Sequence, residues 1–345
     1  MAPTRINLAL QGGGAHGAFT WGVLDVLLED EEIEIAAITG TSAGALNGAA
    51  LKSGWHRAGR QGALDALNWL WRRIGAVGDI RLGAWMAGFA PPTAAISDGV
   101  AASPTYALAE MTTNIFSPYA YGPFYRNPLK PVVERFDFER VCAEDTPRLH
   151  VCATNVRTGR ARVFSGAEIC TEAILASACL PTVFQAVEMD DPKTGRREAY
   201  WDGGYSGNPA LFPLYDKALP DDIVIVALNP MEREEVPKSP QEIDNRVNEV
   251  SFNSALLHDL RAIRFVKRLI REGRIAEGEM KDVLVHFISD DALMRQLSVA
   301  TKLVPNPVLL NRLRRAGRAA AEGFLSRHRD DLGRRDSTDL DVLFG

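Results

Sequence analysis

The pentapeptide Gly40-Thr41-Ser42-Ala43-Gly44 constrains the fold of this chain more than any other feature. It has the form G-x-S-x-G and lies between a strand-like apolar run at 35–39 and an apolar, helix-compatible stretch at 45–51. A strand that reverses sharply into a helix crowds its own backbone, so the positions beside the serine favour residues without a Cβ. The serine hydroxyl then lies at a helix N-terminus, which favours developing negative charge. The pattern predicts a nucleophile elbow, with an ordinary tight turn as the alternative.

Two further segments favour the nucleophile elbow. The loop Gln11-Gly12-Gly13-Gly14-Ala15-His16-Gly17 follows a short apolar strand at 6–10. Consecutive glycines leave the backbone N–H groups bare, so such a loop can aim several donors at one oxyanion. In the second segment, Trp201-Asp202-Gly203-Gly204, a carboxylate precedes two glycines. On a tight turn this carboxylate is placed to accept a serine proton directly.

Together these segments resemble the patatin-like phospholipase family. The family signature is a glycine-rich oxyanion loop, then G-x-S-x-G, then Asp-Gly-Gly or Asp-Gly-Ala, and all three occur here in that order. The stretch Ala176-Ser177-Ala178-Cys179-Leu180-Pro181, followed by Phe184, and the pair Asn208-Pro209 are also similar to the family. The resemblance covers about residues 5–230.

The resemblance implies a Ser–Asp dyad, with Ser42 as the nucleophile and Asp202 as the proton acceptor. It implies oxyanion donors from the N–H groups of Gly12, Gly13 and Gly14. The remaining motif glycines are Gly17, Gly40, Gly44, Gly203 and Gly204. His16 stands where such proteins often carry Arg or Lys, so its role stays open. The implied substrate is a lipid or another acyl ester, with no cofactor and no metal ion.

The fold expected from this resemblance is α/β, a three-layer α/β/α patatin-like fold with a mainly parallel central sheet and added C-terminal helices. Apolar runs and helical periodicity predict these elements. The predicted strands are 6–10, 35–39, 149–153, 162–164, 223–228 and 283–288. The predicted helices are 18–29, 43–52, 61–74, 171–178, 243–272 and 307–325.

The domain organisation follows from the same pattern. We expect a catalytic domain at 5–230, a helical C-terminal extension at 240–328 packed on it, and a charged flexible tail at 329–345. Within the catalytic domain, 76–130 is an irregular insertion rich in Gly, Ala, Pro and aromatic residues. It is expected either to form a lid or acyl-binding region or simply to pack on the core.

A histidine is the usual alternative to a carboxylate base. Six are present, and three of them, His258, His286 and His328, follow both Ser42 and Asp202, as the chain order of an α/β-hydrolase triad requires. We predict all three to be structural or surface residues. His16 is expected to face solvent or to cap a turn. A carboxylate at its usual pKa of about 3.9 is a weak base, but burial of Asp202 against Trp201 and Tyr200 would raise that pKa.

Composition limits the partners and the compartment. The chain has 345 residues and a net charge of −5, so there is no basic excess to bind nucleic acid. Its four cysteines fit reduced, buried thiols, and no apolar run reaches the roughly 18 residues of a membrane span. We expect a cytoplasmic enzyme with at most peripheral contact to a membrane or lipid surface. The oligomeric state, including a homodimer, stays open.

The helix predicted at 243–272 carries five basic residues outside its apolar face. Such residues are usually a solvated face, and the alternative is a dock for anionic phospholipid heads. They are Arg261, Arg264, Lys267, Arg268 and Arg271.

Two other functions compete with lipid hydrolysis. The spacing Gly12-x-Gly14-x-x-Gly17 after a strand matches a dinucleotide-binding fingerprint, which would suit an oxidoreductase. That motif expects a carboxylate at the end of the second strand, where this chain has Thr39-Gly40-Thr41-Ser42 instead. The other competitor is a non-catalytic lipid- or granule-surface binding protein on a hydrolase fold.

Overall fold

The structure is a computed structural model that describes residues 3–77, 92–103, 117–143, 147–276 and 278–345. Its strands are β1 (Thr4–Leu10), β2 (Ile33–Thr41), β3 (Arg148–Asn155), β4 (Ala161–Ser165), β5 (Val187–Asp191), β6 (Arg196–Asp202), β7 (Asp222–Val226) and β8 (Leu284–Ile288). Its longer helices are α1 (Ala18–Glu29), α2 (Ala43–Val77), α3 (Thr93–Ala101), α6 (Thr171–Ser177), α7 (Pro240–Arg271) and α10 (Pro307–His328). Short helices are α4 (Lys130–Val133), α5 (Phe138–Val141), α8 (Asp291–Met294), α9 (Val299–Leu303) and α11 (Leu340–Phe344).

All eight strands belong to one sheet in the order β5-β6-β3-β2-β1-β7-β8, with β4 also paired to β3. Five adjacent strands, β3, β2, β1, β7 and β8, run parallel to one another. Strands β4, β5 and β6 are antiparallel to their neighbours. The sheet is therefore mainly parallel, as the sequence predicts.

Helices cover both faces of this sheet. Alternate residues of β1 point to opposite sides, so Leu8 and Leu10 pack in the larger apolar core while Ala9 packs in the smaller one. The larger core also contains the buried faces of α1, α2 and α10. The smaller core holds Leu256, Leu260 and Ile263 of α7 and Leu340 of α11. This arrangement confirms the three-layer α/β/α fold.

The helices predicted at 43–52 and 61–74 are the two parts of α2, which meet at a kink where Ala58 and Gly59 have non-helical backbone. Gly59 has a φ of +57°, which glycine adopts without a steric cost. Within the C-terminal extension, β8 lies where the sequence predicts a strand at 283–288, and it extends the central sheet beside β7.

The segment 329–345, which the sequence analysis expects to be a flexible tail, packs against the edge of the sheet in the structure. Asp336 Oδ1 accepts a hydrogen bond of 2.8 Å from Val285 N on β8, and Thr338 N donates to Val285 O at 3.3 Å. Leu332 and Leu340 are buried. These contacts cover the outer edge of β8, an edge that would otherwise be exposed for pairing with another chain.

The tail also changes the interpretation of the basic face of α7. Arg264 and Arg271 form ion pairs with Asp341 at 2.6 and 3.2 Å, and Lys267 pairs with Asp282 and Asp336 at 2.7 and 3.0 Å. Each of these three basic residues is therefore paired with a carboxylate of the protein itself.

Candidate active site

The elbow at Ser42 joins β2 to α2. Ser42 has a φ of +53°, and among the described residues it is the only non-glycine residue with a positive φ. A Cβ on Gly44 would lie 2.1 Å from Leu10 O, and one on Gly40 would lie 2.6 Å from the Gly44 carbonyl. Both flanking positions therefore require glycine because the backbone approaches them closely.

Ser177 holds the elbow from the side of α6. Its Oγ accepts a hydrogen bond of 2.9 Å from Ser42 N and donates one of 2.6 Å to Cys152 O on β3. The Ser42 carbonyl accepts from Leu46 N at 3.0 Å, the first hydrogen bond of α2. The serine backbone is thus held by groups from α6 and α2, and Cys152 on β3 in turn holds Ser177.

The glycine-rich loop lies directly against Ser42. A Cβ on Gly12 would come within 2.7 Å of Ser42 Cβ. Gln11 anchors the loop, since its Oε1 accepts from Leu228 N at 2.7 Å and its Nε2 donates to Asn253 Oδ1 at 3.1 Å. The loop therefore has a fixed position beside the predicted nucleophile.

The three glycines of this loop differ in their hydrogen bonding. Gly12 N donates to Asn208 Oδ1 at 2.6 Å, so this N–H is already engaged. Within the described part of the chain, Gly13 N and Gly14 N donate no hydrogen bond. Gly14 has a φ of +56°, and a Cβ there would lie 2.3 Å from Lys302 O. Only Gly13 and Gly14 thus keep the open N–H groups that the sequence predicts for all three.

Asp202 lies at the end of β6, where that strand pairs with β3. Its N donates to Cys179 O at 2.7 Å, and its carbonyl accepts from Thr154 Oγ1 at 2.8 Å. A Cβ on Gly203 would lie 2.1 Å from Cys152 O, and one on Gly204 would lie 2.3 Å from the Phe252 ring. Both glycines after the carboxylate are therefore required by close packing.

The carboxylate of Asp202 is fully buried, and burial raises its pKa to about 7. The hydrogen bond from Gly204 N, 2.8 Å from Oδ1, and the nearby Ser42 side chain lower the pKa by smaller amounts. Oδ2 has no hydrogen-bond partner within 3.5 Å among the described residues. An unpartnered carboxylate oxygen beside a serine is an available proton acceptor.

The histidines lie elsewhere. His16 is buried, not facing solvent as expected, and its Nε2 lies 2.8 Å from Thr301 Oγ1. Burial, with a smaller effect of Lys302, holds its pKa well below the usual value. His286 contacts Asp222 and Ser337 at 3.0 and 2.9 Å. Across the described ranges, no hydrogen bond joins a histidine to Ser42 or Asp202.

Sequence reasoning missed the residues that position this site. Asn208 fixes Gly12, Ser177 fixes Ser42, and Gln11 ties the loop to α7. Ser177 and Asn208 stand in segments noted only for their resemblance to a family, and nothing in their local pattern indicates a contact with residues 135 and 196 positions away.

Much of the insertion at 76–130 lies outside the described residues, including 78–91 and 104–116. Its described part packs near the site through two tyrosines. Tyr119 Oη accepts from Ala186 N at 3.1 Å, and Tyr125 Oη accepts from Gln185 N at 3.3 Å.

The sequence matches the profile described as patatin-like phospholipase over residues 8–215, more than half of the chain. The chain belongs to the patatin-like phospholipase family. This membership supports a lipid hydrolase function for the protein. No match was found among curated proteins.

Three solved structures are similar to this patatin-like chain. VipD from Legionella pneumophila is 15% identical with a TM-score of 0.44, and the match covers 95% of this chain and 68% of VipD. The type III effector ExoU is 15% identical with a TM-score of 0.36, covering 94% of this chain and 54% of ExoU. A complex of ExoU with SpcU from Pseudomonas aeruginosa gives 20% identity, a TM-score of 0.29 and coverages of 95% and 61%.

The dinucleotide-binding alternative does not fit the glycine loop of this patatin-like protein. Neighbouring atoms fill the space beside each glycine of the fingerprint: Ser42 Cβ beside Gly12, Lys302 O beside Gly14 and Ala43 Cβ beside Gly17. In a dinucleotide-binding loop, the absence of a Cβ lets the pyrophosphate approach the backbone. Here atoms of the protein itself occupy that space beside each glycine. Within the described residues, no three His, Cys, Asp or Glu side chains are grouped to hold a metal ion.

Proposed function

We propose that this protein is a serine lipid acyl hydrolase that uses a Ser42–Asp202 dyad and passes through an acyl-enzyme. One observation carries the proposal: the unpartnered Oδ2 of buried Asp202 lies beside Ser42, on the elbow next to the glycine loop. A carboxylate with a pKa near 7 is far better matched to a serine hydroxyl than an ordinary aspartate.

The reaction would proceed in two half-reactions. Ser42 Oγ attacks the ester carbonyl as Asp202 Oδ2 takes its proton, and the N–H groups of Gly13 and Gly14 stabilise the oxyanion. The protonated Asp202 then donates its proton to the departing alcohol or lysolipid. In the second half, Asp202 takes a proton from water as the water attacks the acyl-serine ester. Collapse of that intermediate releases the fatty acid and returns the proton to Ser42.

The role of Asn208 in this mechanism is to position the loop. By accepting the Gly12 N–H, its side chain fixes the backbone that carries the two open donors. Loss of an oxyanion donor typically lowers the rate by about 10²–10³-fold, so a displaced loop would be costly. Asn208 is therefore a positioning residue.

Hydrolysis of a soluble p-nitrophenyl ester tests the dyad without needing a lipid surface. Ser42→Ala and Asp202→Asn should each lower kcat by at least about 10³-fold while the far-ultraviolet circular dichroism spectrum stays unchanged. The matched control is Ser337→Ala, because Ser337 is the serine that contacts a His–Asp pair. The control should retain full activity. Activity lost in Ser337→Ala and kept in Asp202→Asn would favour a histidine-based site and contradict the dyad.

A further inference from the structure

The first half of α7 has its polar and apolar faces reversed. Its inward face carries Asn245, Asn248, Glu249 and Asn253, all held by hydrogen bonds. Its outward face carries Ile243, Val247 and Val250, whose exposed fractions are 46%, 58% and 52%. A surface helix ordinarily buries its apolar stripe and exposes polar residues.

The inward polar face is fully engaged, so the reversal is built into the packing of the helix. Asn245 Oδ1 accepts from Val299 N at 2.8 Å, and Asn248 Oδ1 accepts from Lys302 Nζ at 2.7 Å. Glu249 is buried and pairs with Arg233 at 2.6 Å and with Arg246 at 3.2 Å. The helix cannot rotate its apolar stripe inward without breaking these bonds, so the stripe stays exposed.

The three outward residues form one continuous stripe, because their spacings of four and three residues place them on the same side of the helix. The preceding loop carries a further exposed valine, Val236. A contiguous exposed apolar patch of this kind marks a contact surface.

The helix that carries the stripe also borders the candidate active site, through its opposite face. Phe252 is buried on the inward face of α7, where it packs against Gly204, and its ring lies 5.5 Å from the ring of Tyr205. Gly204 and Tyr205 follow shortly after Asp202 in the chain. Helix α7 thus has one face on the segment of the buried carboxylate and the apolar stripe on its outward face.

We propose that this stripe, Ile243, Val247 and Val250, inserts into a lipid surface and so holds the helix that borders the active site at that surface. This proposal rests on the lipid hydrolase function proposed above, which requires a water-insoluble substrate to reach Ser42. Among the described residues, no helix is long and apolar enough to cross a bilayer. The stripe can instead bind a membrane peripherally, by inserting its side chains into the lipid surface.

The small area of the stripe favours a lipid surface over a second protein. The charges near it favour a lipid surface without net charge over an anionic lipid surface. Three aliphatic side chains cover far less than the roughly 800 Å² per partner of a stable protein interface, but shallow insertion needs only such a patch. The exposed charged residues between positions 234 and 244 are four acidic residues, Glu234, Glu235, Glu242 and Asp244, and one basic residue, Lys238. These carboxylates would repel an anionic surface, so the expected partner is a zwitterionic lipid such as phosphatidylcholine.

Vesicle binding tests the stripe directly. The triple change Ile243→Thr, Val247→Thr and Val250→Thr keeps the branched shape and adds hydroxyl groups at exposed positions, so folding should be retained. In a Ser42→Ala background, which leaves the lipid intact, we expect at least about tenfold weaker co-sedimentation with phosphatidylcholine vesicles. The matched control is Val342→Thr in α11, an equally conservative change at an exposed valine far along the chain. It should leave vesicle binding unchanged.

Activity of the triple variant separates this proposal from the proposed chemistry. With Ser42 intact, hydrolysis of the soluble p-nitrophenyl ester should match the wild type, while hydrolysis of vesicle lipid falls with binding. If the Ser42→Ala protein with an unmodified stripe did not bind phosphatidylcholine vesicles, the proposal would be overturned. Undiminished binding by the triple variant would overturn it too. A dimer in sedimentation velocity that the triple variant abolishes would also overturn it and assign the stripe to a second copy.

Discussion

At the scale of single residues, the site depends on the environment of Asp202. An exposed aspartate would be ionised throughout the physiological range and would be a weak base toward a serine. Complete burial raises the pKa of this carboxyl to about 7, and the hydrogen bond from Gly204 N offsets only part of that effect. The protein thus keeps a costly buried carboxylate where a base is needed.

The pKa of Asp202 predicts a pH dependence of the reaction. The base must be ionised, so kcat/KM for a soluble ester should rise as pH increases through about 7 and level off above about pH 8. A profile of initial rates between pH 5 and 9 measures this midpoint. A midpoint near pH 4 would mean that Asp202 is solvated in the working enzyme.

The same pKa predicts a pH-dependent stability. In the unfolded chain Asp202 titrates near pH 4, so between about pH 4 and pH 7 the folded state holds a proton that the unfolded state releases. Stability therefore falls as pH rises through this window. Asp202→Asn removes this pH-dependent loss of stability. At pH 8 the free energy of unfolding of the variant, measured in urea, should exceed that of the wild type by up to about 4 kcal/mol. The difference should shrink toward pH 4, and a constant difference would contradict the assignment.

The sequence predicts some of these residues and not others. Ser42 and Asp202 stand in short motifs whose glycines the structure requires at close approaches. Asn208 and Ser177 act through single hydrogen bonds to distant segments, and a lone Asn or Ser has no local pattern that reveals such a partner. The engagement of Gly12 N could not be predicted for the same reason, because its acceptor belongs to Asn208.

At the scale of elements, β2 and α2 meet so tightly that the elbow tolerates no added atom at Gly44. Gly44→Ala would place a methyl group 2.1 Å from Leu10 O, a backbone atom that cannot move without disturbing β1. We expect a loss of about 3 kcal/mol or more in the free energy of unfolding.

The control for this change is Gly99→Ala in α3, where a new Cβ would meet no atom of the described residues within 4 Å. That variant should be unchanged or more stable by up to about 1 kcal/mol, because alanine favours helix. Urea unfolding measures both variants. Equal effects of the two substitutions would contradict the close approach of β1 to the elbow.

Apolar strands were predictable, and the polar hairpin of β5 and β6 was not. Strands β1, β2 and β7 lie inside the sheet and appear in the sequence as nearly continuous apolar runs. By contrast, β5 and β6 read VEMDD and RREAYWD, with charged residues at several positions. Their pairing with each other and with β3 depends on tertiary contacts, and yet it carries Asp202 to the site.

At the scale of the whole molecule, the C-terminal segment completes the structure. Leu340 is 6% exposed and packs in the core beneath α7, whereas Val342 two residues later is 78% exposed. Leu340→Ala should lower the free energy of unfolding by about 2–3 kcal/mol, and Val342→Ala should change it by less than about 0.5 kcal/mol. Urea unfolding distinguishes them, and two negligible effects would restore the expectation of a flexible tail.

The sequence analysis considered the charges of the C-terminal segment without their partners. Residues 329–345 contain many charged side chains, which ordinarily indicates a solvated end. Several of them pair with the body of the protein: Arg329 with Asp30 and Glu32, and Asp341 with Arg264 and Arg271. These pairs become visible only when the chain is folded.

The most direct test of the account is covalent labelling of the nucleophile with a fluorophosphonate probe, read by mass spectrometry of the labelled peptide. The account predicts one adduct on Ser42, no labelling of Ser42→Ala, and labelling of Asp202→Asn slowed by at least about 10²-fold. An unlabelled wild-type protein would indicate a non-catalytic binding role. An adduct on Ser337 or any other serine, with Ser42 unmodified, would contradict the assignment of the active site.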